Sequence, residues 1–239
     1  MHSGMKRLLI IALAFLGVVI RADSKVYLVC VGIADYPGTK NDLRISDTDA
    51  KTISQIYLST KNAVSKVLTN SSATHSAVLS SMRSTFAPAG EYDTVILYFS
   101  GHGSLGSLVC YDKLLPYSNI LSVLKGCKAR KKIVLVDACF SGKMRVNQQQ
   151  HARYNAQEVM FFLSSRTNET SLESGYKNSM FTIFLERGLR GGADANKDRS
   201  ITARELYDFV HSGVIDATEG KQHPVMWGKF DNEMSVINW

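Results

Sequence analysis

Four short runs of this chain are almost unbroken apolar sequence: Val26–Ile33, Thr94–Phe99, Ile133–Val136 and Val159–Leu163. Side chains on a strand alternate between its two faces, so a half-exposed strand reads apolar, polar, apolar. An unbroken run of strand length instead predicts burial on both faces, as in a parallel sheet covered by helices. Between and after the runs lie segments with helical spacing, Asp47–Leu58, Ser72–Phe86, Ser118–Leu124, Ser179–Leu189 and Thr202–Val210. Strands alternating with helices predict an α/β three-layer sandwich, with a mostly parallel central sheet, helices on both faces and right-handed crossovers.

With 239 residues, 45% of them hydrophobic and 21% charged, the chain has enough apolar surface for one ordinary domain and too little net polarity for extensive disorder. Lys6 and Arg7 precede an apolar run from Leu8 to Ile20, and a short tract ends at Ala22, which is the layout of an export signal peptide over residues 1–22. That run has 13 residues, against the ~20 a spanning helix needs. The expectation is therefore an exported protein, periplasmic or secreted, with no stable membrane insertion after the leader is removed.

Losing Lys6, Arg7 and Arg21 lowers the formal charge from +7 to +4. The only dense basic cluster, Lys128, Arg130, Lys131 and Lys132, reads as a solvated turn before a strand. With no aromatic interleaving and no nucleic-acid motif, nucleic acid is not an expected partner. Residues 23–239 read as one domain. Its larger portion, 23–142, is followed by a polar, exposed linker at 143–157 and a smaller portion, 158–239.

In open parallel sheets, ligands bind beyond the carboxyl ends of the strands. Two strands end in unusual sequences: Thr94–Phe99 leads into Ser100-Gly101-His102-Gly103, and Ile133–Val136 into Asp137-Ala138-Cys139-Phe140-Ser141-Gly142. On neighbouring strands, His102 and Cys139 would share one rim. A thiolate attacks carbonyl carbon, and an imidazole beside it favours that thiolate and protonates the departing amine. The backbone N–H groups of Gly103 and Cys139 would then stabilise the oxyanion. Taken singly, each residue has a plainer role, the cysteine as a small core hydrophobe and the histidine as a satisfied polar group.

Those two stretches resemble the histidine and cysteine signatures of the caspase-like cysteine peptidases, nearest to bacterial metacaspases. Tyr36-Pro37-Gly38 with Asn41, Leu43 and Asp47-Thr48-Asp49-Ala50 resembles the family's first loop and helix start. Asn168-Glu169-Thr170-Ser171 with Phe181-Thr182 is similar to its small-subunit segment, and Gln222-His223-Pro224-Val225 to its final strand. The resemblance implies the caspase-like fold, with 23–142 and 158–239 as large- and small-subunit-like parts. It also implies His102 as general acid/base, Cys139 as nucleophile and the Gly103 and Cys139 amides as oxyanion hole. Asp49 and Asp137 match the acidic pair that gives metacaspases their preference for Arg or Lys before the scissile bond. Ser46, where the family often has cysteine, and Ser100 match further pocket-lining positions.

A pocket for a guanidinium or ammonium group needs carboxylate to replace its water. Asp49 has a second reading, because Asp47 and Asp49 also suit the positive start of a helix. Specificity for Asp would need a basic pocket, and no arginine adjoins either signature. Lys143, Arg145 and Arg153 in the linker are candidate self-processing points, or ordinary residues of a solvated loop. Two other functions stay open: a catalytically silent caspase-like domain that binds peptides or partners, and a clostripain-like cysteine peptidase.

Asp194, Asn196, Asp198, Ser200, Thr202 and Glu205 fall at the ligand positions of an EF-hand-like calcium loop. Arg199 replaces the usual glycine, and Thr202 with Glu205 forms a Thr-x-x-Glu capping box that needs no metal. The acidic calcium cluster that metacaspases often carry after the histidine signature is missing, since Asp112 is the only acid between Ser104 and Asp137. The reaction needs no cofactor, with calcium a possible accessory. Cys110 and Cys127 can pair in an oxidising compartment, and Cys30 reads as strand packing. Asn70-Ser71-Ser72 and Asn168-Glu169-Thr170 fit the glycosylation pattern.

Overall fold

A computed structural model describes residues 24–138, 159–166 and 177–239. The leader, the linker with Lys143, Arg145 and Arg153, Cys139 and Asn168–Ser171 lie outside them. The described chain forms strand β1 (Val26–Gly32), helix α1 (Ser46–Leu58), β2 (Ala63–Thr69), α2 (His75–Phe86), β3 (Thr94–Ser100), the short strands β4 (Gly103–Ser104), β5 (Ser107–Val109) and β6 (Leu114–Pro116), and α3 (Tyr117–Gly126). It continues through β7 (Lys131–Asp137), β8 (Val159–Leu163), α4 (Met180–Arg187), β9 (Ser200–Thr202), α5 (Ala203–Ala217), β10 (Val225–Lys229) and β11 (Ser235–Asn238).

The main sheet has six strands in the order β10-β8-β7-β3-β1-β2, parallel throughout except for antiparallel β10 at one edge. The four apolar runs supply its interior strands. Every residue of β3 and β8 is buried, because their alternate side chains enter two separate cores. Tyr27, Val29, Val31, Val95, Leu97, Phe99, Val134 and Val136 pack on one face with Val78, Met82 and Phe86 of α2 and Ile120 and Leu124 of α3. Leu28, Cys30, Ile96, Tyr98, Ile133, Leu135, Met160 and Phe162 pack on the other with Ile53 and Ile56 of α1, Phe181 and Leu185 of α4, and Leu206 and Val210 of α5. These are the three layers the sequence predicts.

The edges differ from the expectation. β2 alternates partly buried and exposed residues and carries Ser65 and Lys66, so it lacks the unbroken apolar signature. At the other edge β10 closes the main sheet, while β11 pairs with β9 in a separate two-stranded sheet. Helix α2 starts at His75, because Thr69 and Ser72 close a capping box around a 3-10 turn before it. Among the described residues no helix is long and apolar enough to cross a membrane. Cys30, Cys110 and Cys127 are free thiols, so the pairing of Cys110 with Cys127 is not formed; the Cys127 sulfur faces the Phe86 carbonyl oxygen at 3.7 Å.

Helix α1 crosses the end of β1 closely. A Cβ on Gly32 would lie 2.2 Å from the Ser46 carbonyl oxygen and 2.7 Å from the Ala50 Cβ. Gly32→Ala is expected to cost about 1–3 kcal/mol through this overpacking. Gly126→Ala, at a helix end with open space, is expected to be neutral or slightly stabilising. Urea unfolding midpoints of the two variants check the contrast.

Candidate active site

β1, β3 and β7 are paired in register, so their last residues Gly32, Ser100 and Asp137 stand side by side. Backbone bonds continue the alignment past the strands: the Ile33 amide donates to the Ser100 carbonyl (3.0 Å) and the Gly101 amide to the Asp137 carbonyl (3.1 Å). Ala138, fully buried, donates its amide to Ser164 Oγ (3.3 Å), and the Ser164 carbonyl accepts from Gln222 Nε2 (2.9 Å). The chain bonded on to Ala138 is Cys139, which lies outside the described residues.

His102 stands two residues past Ser100 and is partly exposed. Its Nε2 meets the Asn41 carbonyl oxygen at 2.8 Å. A carbonyl can only accept, so Nε2 carries a hydrogen, and in the neutral ring Nδ1 keeps its lone pair. The Tyr36 phenol accepts from the His102 amide (2.9 Å) and donates to the Val109 carbonyl (3.1 Å). Its ring lies 4.9 Å from the imidazole, centroid to centroid. Gly101 permits this contact, since a Cβ there would come within 2.7 Å of the Tyr36 hydroxyl. Gly103 begins β4, opposite Leu108 of β5.

The loop that supplies Tyr36 and Asn41 is braced from several sides. Asp42 Oδ1 accepts from the Tyr36 amide (3.0 Å), and the Leu43 amide donates to the Ala34 carbonyl (2.7 Å). Gly38 takes φ +81°, a left-handed turn that other residues rarely adopt. Asn70 Oδ1 accepts from the Ala34 and Asp35 amides at 2.9 and 3.1 Å, so this glycosylation-pattern residue serves as a loop anchor. Tyr36 and Asn41 belong to the family-like motif, but their contacts with His102 span 66 and 61 residues and carry no local signal.

The acidic residues gather under the same rim. Helix α1 has Ile45 as its N-cap and leaves Asp49 no capping task. The Asp49 side chain, fully buried, instead accepts from Ser100 Oγ at 2.9 Å and from the Ser179 amide at 3.0 Å. Ser179 Oγ donates to Asp137 Oδ2, and Thr182 Oγ1 reaches the same oxygen at 3.4 Å. The Tyr98 hydroxyl bonds to Thr182 Oγ1 (2.6 Å). Asp49, Ser100 and Asp137 are thus brought together, and Ser46 is buried one turn before Asp49 on α1. Burial and the neighbouring Asp137 push the Asp49 carboxyl up to about 8, against the pull of its Ser100 and Ser179 donors. Ser179, the N-cap of α4, and Thr182 within it complete the cluster, and neither carries a local sequence signal of a pocket role.

The calcium-loop residues form a different structure between α4 and α5. Asp194 accepts from the amides of Asp198 (3.2 Å) and Arg199 (3.1 Å), Asn196 from Asp198 (2.9 Å), and Asp198 from Ser200 (2.8 Å). Glu205 accepts from the Ala195 and Thr202 amides at 3.2 and 2.9 Å, which closes the capping box of α5. Arg199 adopts φ +66°, the left-handed turn expected of that loop position. Among the described residues no group of three or more His, Cys, Asp and Glu side chains is arranged to hold a metal ion.

The family model for the caspase domain matches residues 25–233. The chain belongs to the caspase-domain family. This caspase domain superposes on the crystal structure of caspase-1 from Spodoptera frugiperda with a TM-score of 0.65 at 18% identity, covering 87% of this chain and 88% of that one. A Geobacter sulfurreducens protein of known structure gives a TM-score of 0.64 at 16% identity, with 87% and 94% covered. No curated protein matches significantly. Membership places the chain in the cysteine peptidase superfamily, and the mostly parallel sheet is that of the caspase-like fold.

The phenol of Tyr36 joins the His102 amide to the Val109 carbonyl. Tyr36→Phe keeps the ring and strands both backbone groups, for an expected loss of about 1–3 kcal/mol. Urea unfolding of the variant, with far-UV circular dichroism to confirm the native fold, checks the cost.

Proposed function

We propose that this chain is a cysteine endopeptidase of metacaspase type that cuts after Arg or Lys. The observation that carries this reading is the Asp49 carboxylate buried beside Asp137, directly below the rim where His102 stands. Buried acid is costly, and an entering guanidinium or ammonium group offsets that cost with charge and hydrogen-bond donors. Ser46 and Ser100 line the same pocket in this reading, and the substrate is a peptide or protein with Arg or Lys before the cut bond.

Cys139 is the nucleophile of the proposed reaction. With Nε2 protonated against the Asn41 carbonyl, His102 has Nδ1 available to take the thiol proton. Sulfur adds to the scissile carbonyl, the oxyanion is held by the amides of Gly103 and Cys139, and the proton passes from Nδ1 to the departing amine. Water then hydrolyses the thioester with His102 as base. No step runs through a cofactor, so cleavage is expected to persist in EGTA. Residues 1–22 complete the reading as an export leader, with the mature enzyme periplasmic or secreted.

Fluorogenic peptides ending in Arg, Lys or Asp test the assignment. Arg and Lys peptides are expected to be cleaved and Asp peptides not, with Cys139→Ala inactive and Asp49→Asn raising KM for Arg peptides by about tenfold or more. Cleavage of none of them would leave a silent, peptide-binding caspase domain. Wild type alone is expected to lose intact chain at Lys143, Arg145 or Arg153, seen as fragments on a denaturing gel beside a single Cys139→Ala band.

Asp49 titrates near 8 and must be ionised to hold a cation. Below that pH an entering cation displaces a proton. Benzamidine binding to the Cys139→Ala variant, where no thiol titrates at that position, is expected to strengthen roughly tenfold for each unit that pH rises toward about 8 and to level above it. Calorimetry at several pH values reads this directly.

A further inference from the structure

Ser179 bonds to both acids of the pocket. Its amide donates to Asp49 Oδ1 at 3.0 Å, its hydroxyl donates to Asp137 Oδ2, and the same oxygen accepts the Thr182 amide at 3.2 Å as the N-cap of α4. The residue is 5% exposed. These bonds bridge 130 residues to Asp49 and 42 to Asp137, joining the C-terminal third of the chain to helix α1 and strand β7. Asn178 adds a neighbouring tie, accepting from Thr52 Oγ1 of α1 at 3.4 Å.

We propose that Ser179 is the positioning residue of the cation pocket, fixing Asp49 through its amide and Asp137 through its hydroxyl so that both carboxylates face one incoming cation. The proposal rests on the reading of Asp49 and Asp137 as that pocket. Helix capping alone does not explain the residue. A cap needs only an acceptor for the Thr182 amide, which Asp, Asn or Thr also supply. The bond to Asp137 needs a hydrogen on that same atom. Aspartate has none and adds a third negative charge, and Gly and Ala have no atom there. Threonine alone keeps acceptor, hydrogen and size.

The titratable groups facing Asp49 are Asp137 of β7 and Tyr98 of β3; the Ser179 amide favours the ionised form of Asp49, and the hydroxyl, whose one hydrogen goes to Asp137 Oδ2, favours the ionised form of Asp137. Removing the hydroxyl therefore makes the two acids together harder to ionise, and cation binding needs a higher pH.

Ser179→Ala, Ser179→Gly and Ser179→Thr test the clamp against wild type. The Ala variant is expected to raise KM for Arg peptides about tenfold with kcat little changed, the loss of one hydrogen bond to a charged group. In the Cys139→Ala background it shifts the pH limb of benzamidine binding upward. The Thr variant restores both properties. A Gly variant, which retains N-cap tolerance, replaces Ala if Ala fails to fold. A KM and a pH limb unchanged by Ala or Gly, or a Thr variant as impaired as Ala, overturns the proposal.

A readout independent of turnover separates the clamp from the pocket assignment. Carbon-13 carboxyl shifts of Asp49 and Asp137 are followed against pH in wild type and Ser179→Ala. An upward move of the summed midpoints of the pair in the variant supports the clamp, and unchanged midpoints overturn it. Wild-type protein that cleaves no Arg or Lys peptide overturns the specificity reading instead, whatever the carboxyl titration shows.

Discussion

The register of three parallel strands governs this molecule. Gly32, Ser100 and Asp137 end β1, β3 and β7 at one level, so the segments that follow all leave from the same rim. Parity then fixes which way the side chains face. Cys30, Tyr98 and Leu135 belong to the core under α1, α4 and α5, and Ser100 and Asp137, two residues on from Tyr98 and Leu135, point to that same face. A slip of one residue would send both polar side chains into the core under α2 and α3 and put Phe99 and Val136 where Asp49 lies. The apolar runs that specify the fold thus also specify the chemistry at their ends.

The buried acids make little sense as a device for stability. A fully buried carboxyl raised toward 8 gives the folded protein no electrostatic advantage over a hydrocarbon of the same size. What surrounds Asp49 is a set of neutral donors, the Ser100 hydroxyl and the Ser179 amide, which satisfy its oxygens without cancelling its charge. An arrangement of that kind leaves the acid poised for a partner that arrives from outside. In the proposed reading that partner is a side chain of the substrate.

The interior of the fold was legible because strands buried on both faces cannot hide: Val159–Leu163 matches the expected run residue for residue. Edge strand β2 was not, since half-exposure allows Ser65 and Lys66 into it and dilutes the signal. The site divides along the same line. Asp137 and His102 are strand-end residues visible in their own sequence context. Asp49 was ambiguous, because an acid in the first turn of a helix has a local explanation that still holds, and only its buried bonds to Ser100 and Ser179 reveal the second role. Ser179, Tyr36 and Asn70 act across distances of 36 to 130 residues, and no window of sequence contains both partners. The Cys110 and Cys127 pairing failed for a related reason, because compartment and count say nothing of where two thiols sit.

The support given to His102 fits a thiol nucleophile better than a hydroxyl one. Its Nε2–H meets a backbone carbonyl, a neutral acceptor that orients the ring and selects the tautomer. A serine hydroxyl is far less acidic than a thiol, and its imidazole is served by a buried carboxylate that stabilises the imidazolium formed on proton transfer. A cysteine near pKa 8.5 asks for much less, since a modest local bias already yields thiolate. The carboxylates of this site lie instead at the end of α1 and β7 nearest the rim, where Ser100 and Ser179 engage them. In the proposed reading two tasks are thereby kept apart: neutral groups of the loop at 36–41 set the imidazole, and the acids below it meet the cation of the substrate. Were either acid bonded to the imidazole, charge at the pocket and basicity at the histidine would vary together, and tuning one would disturb the other.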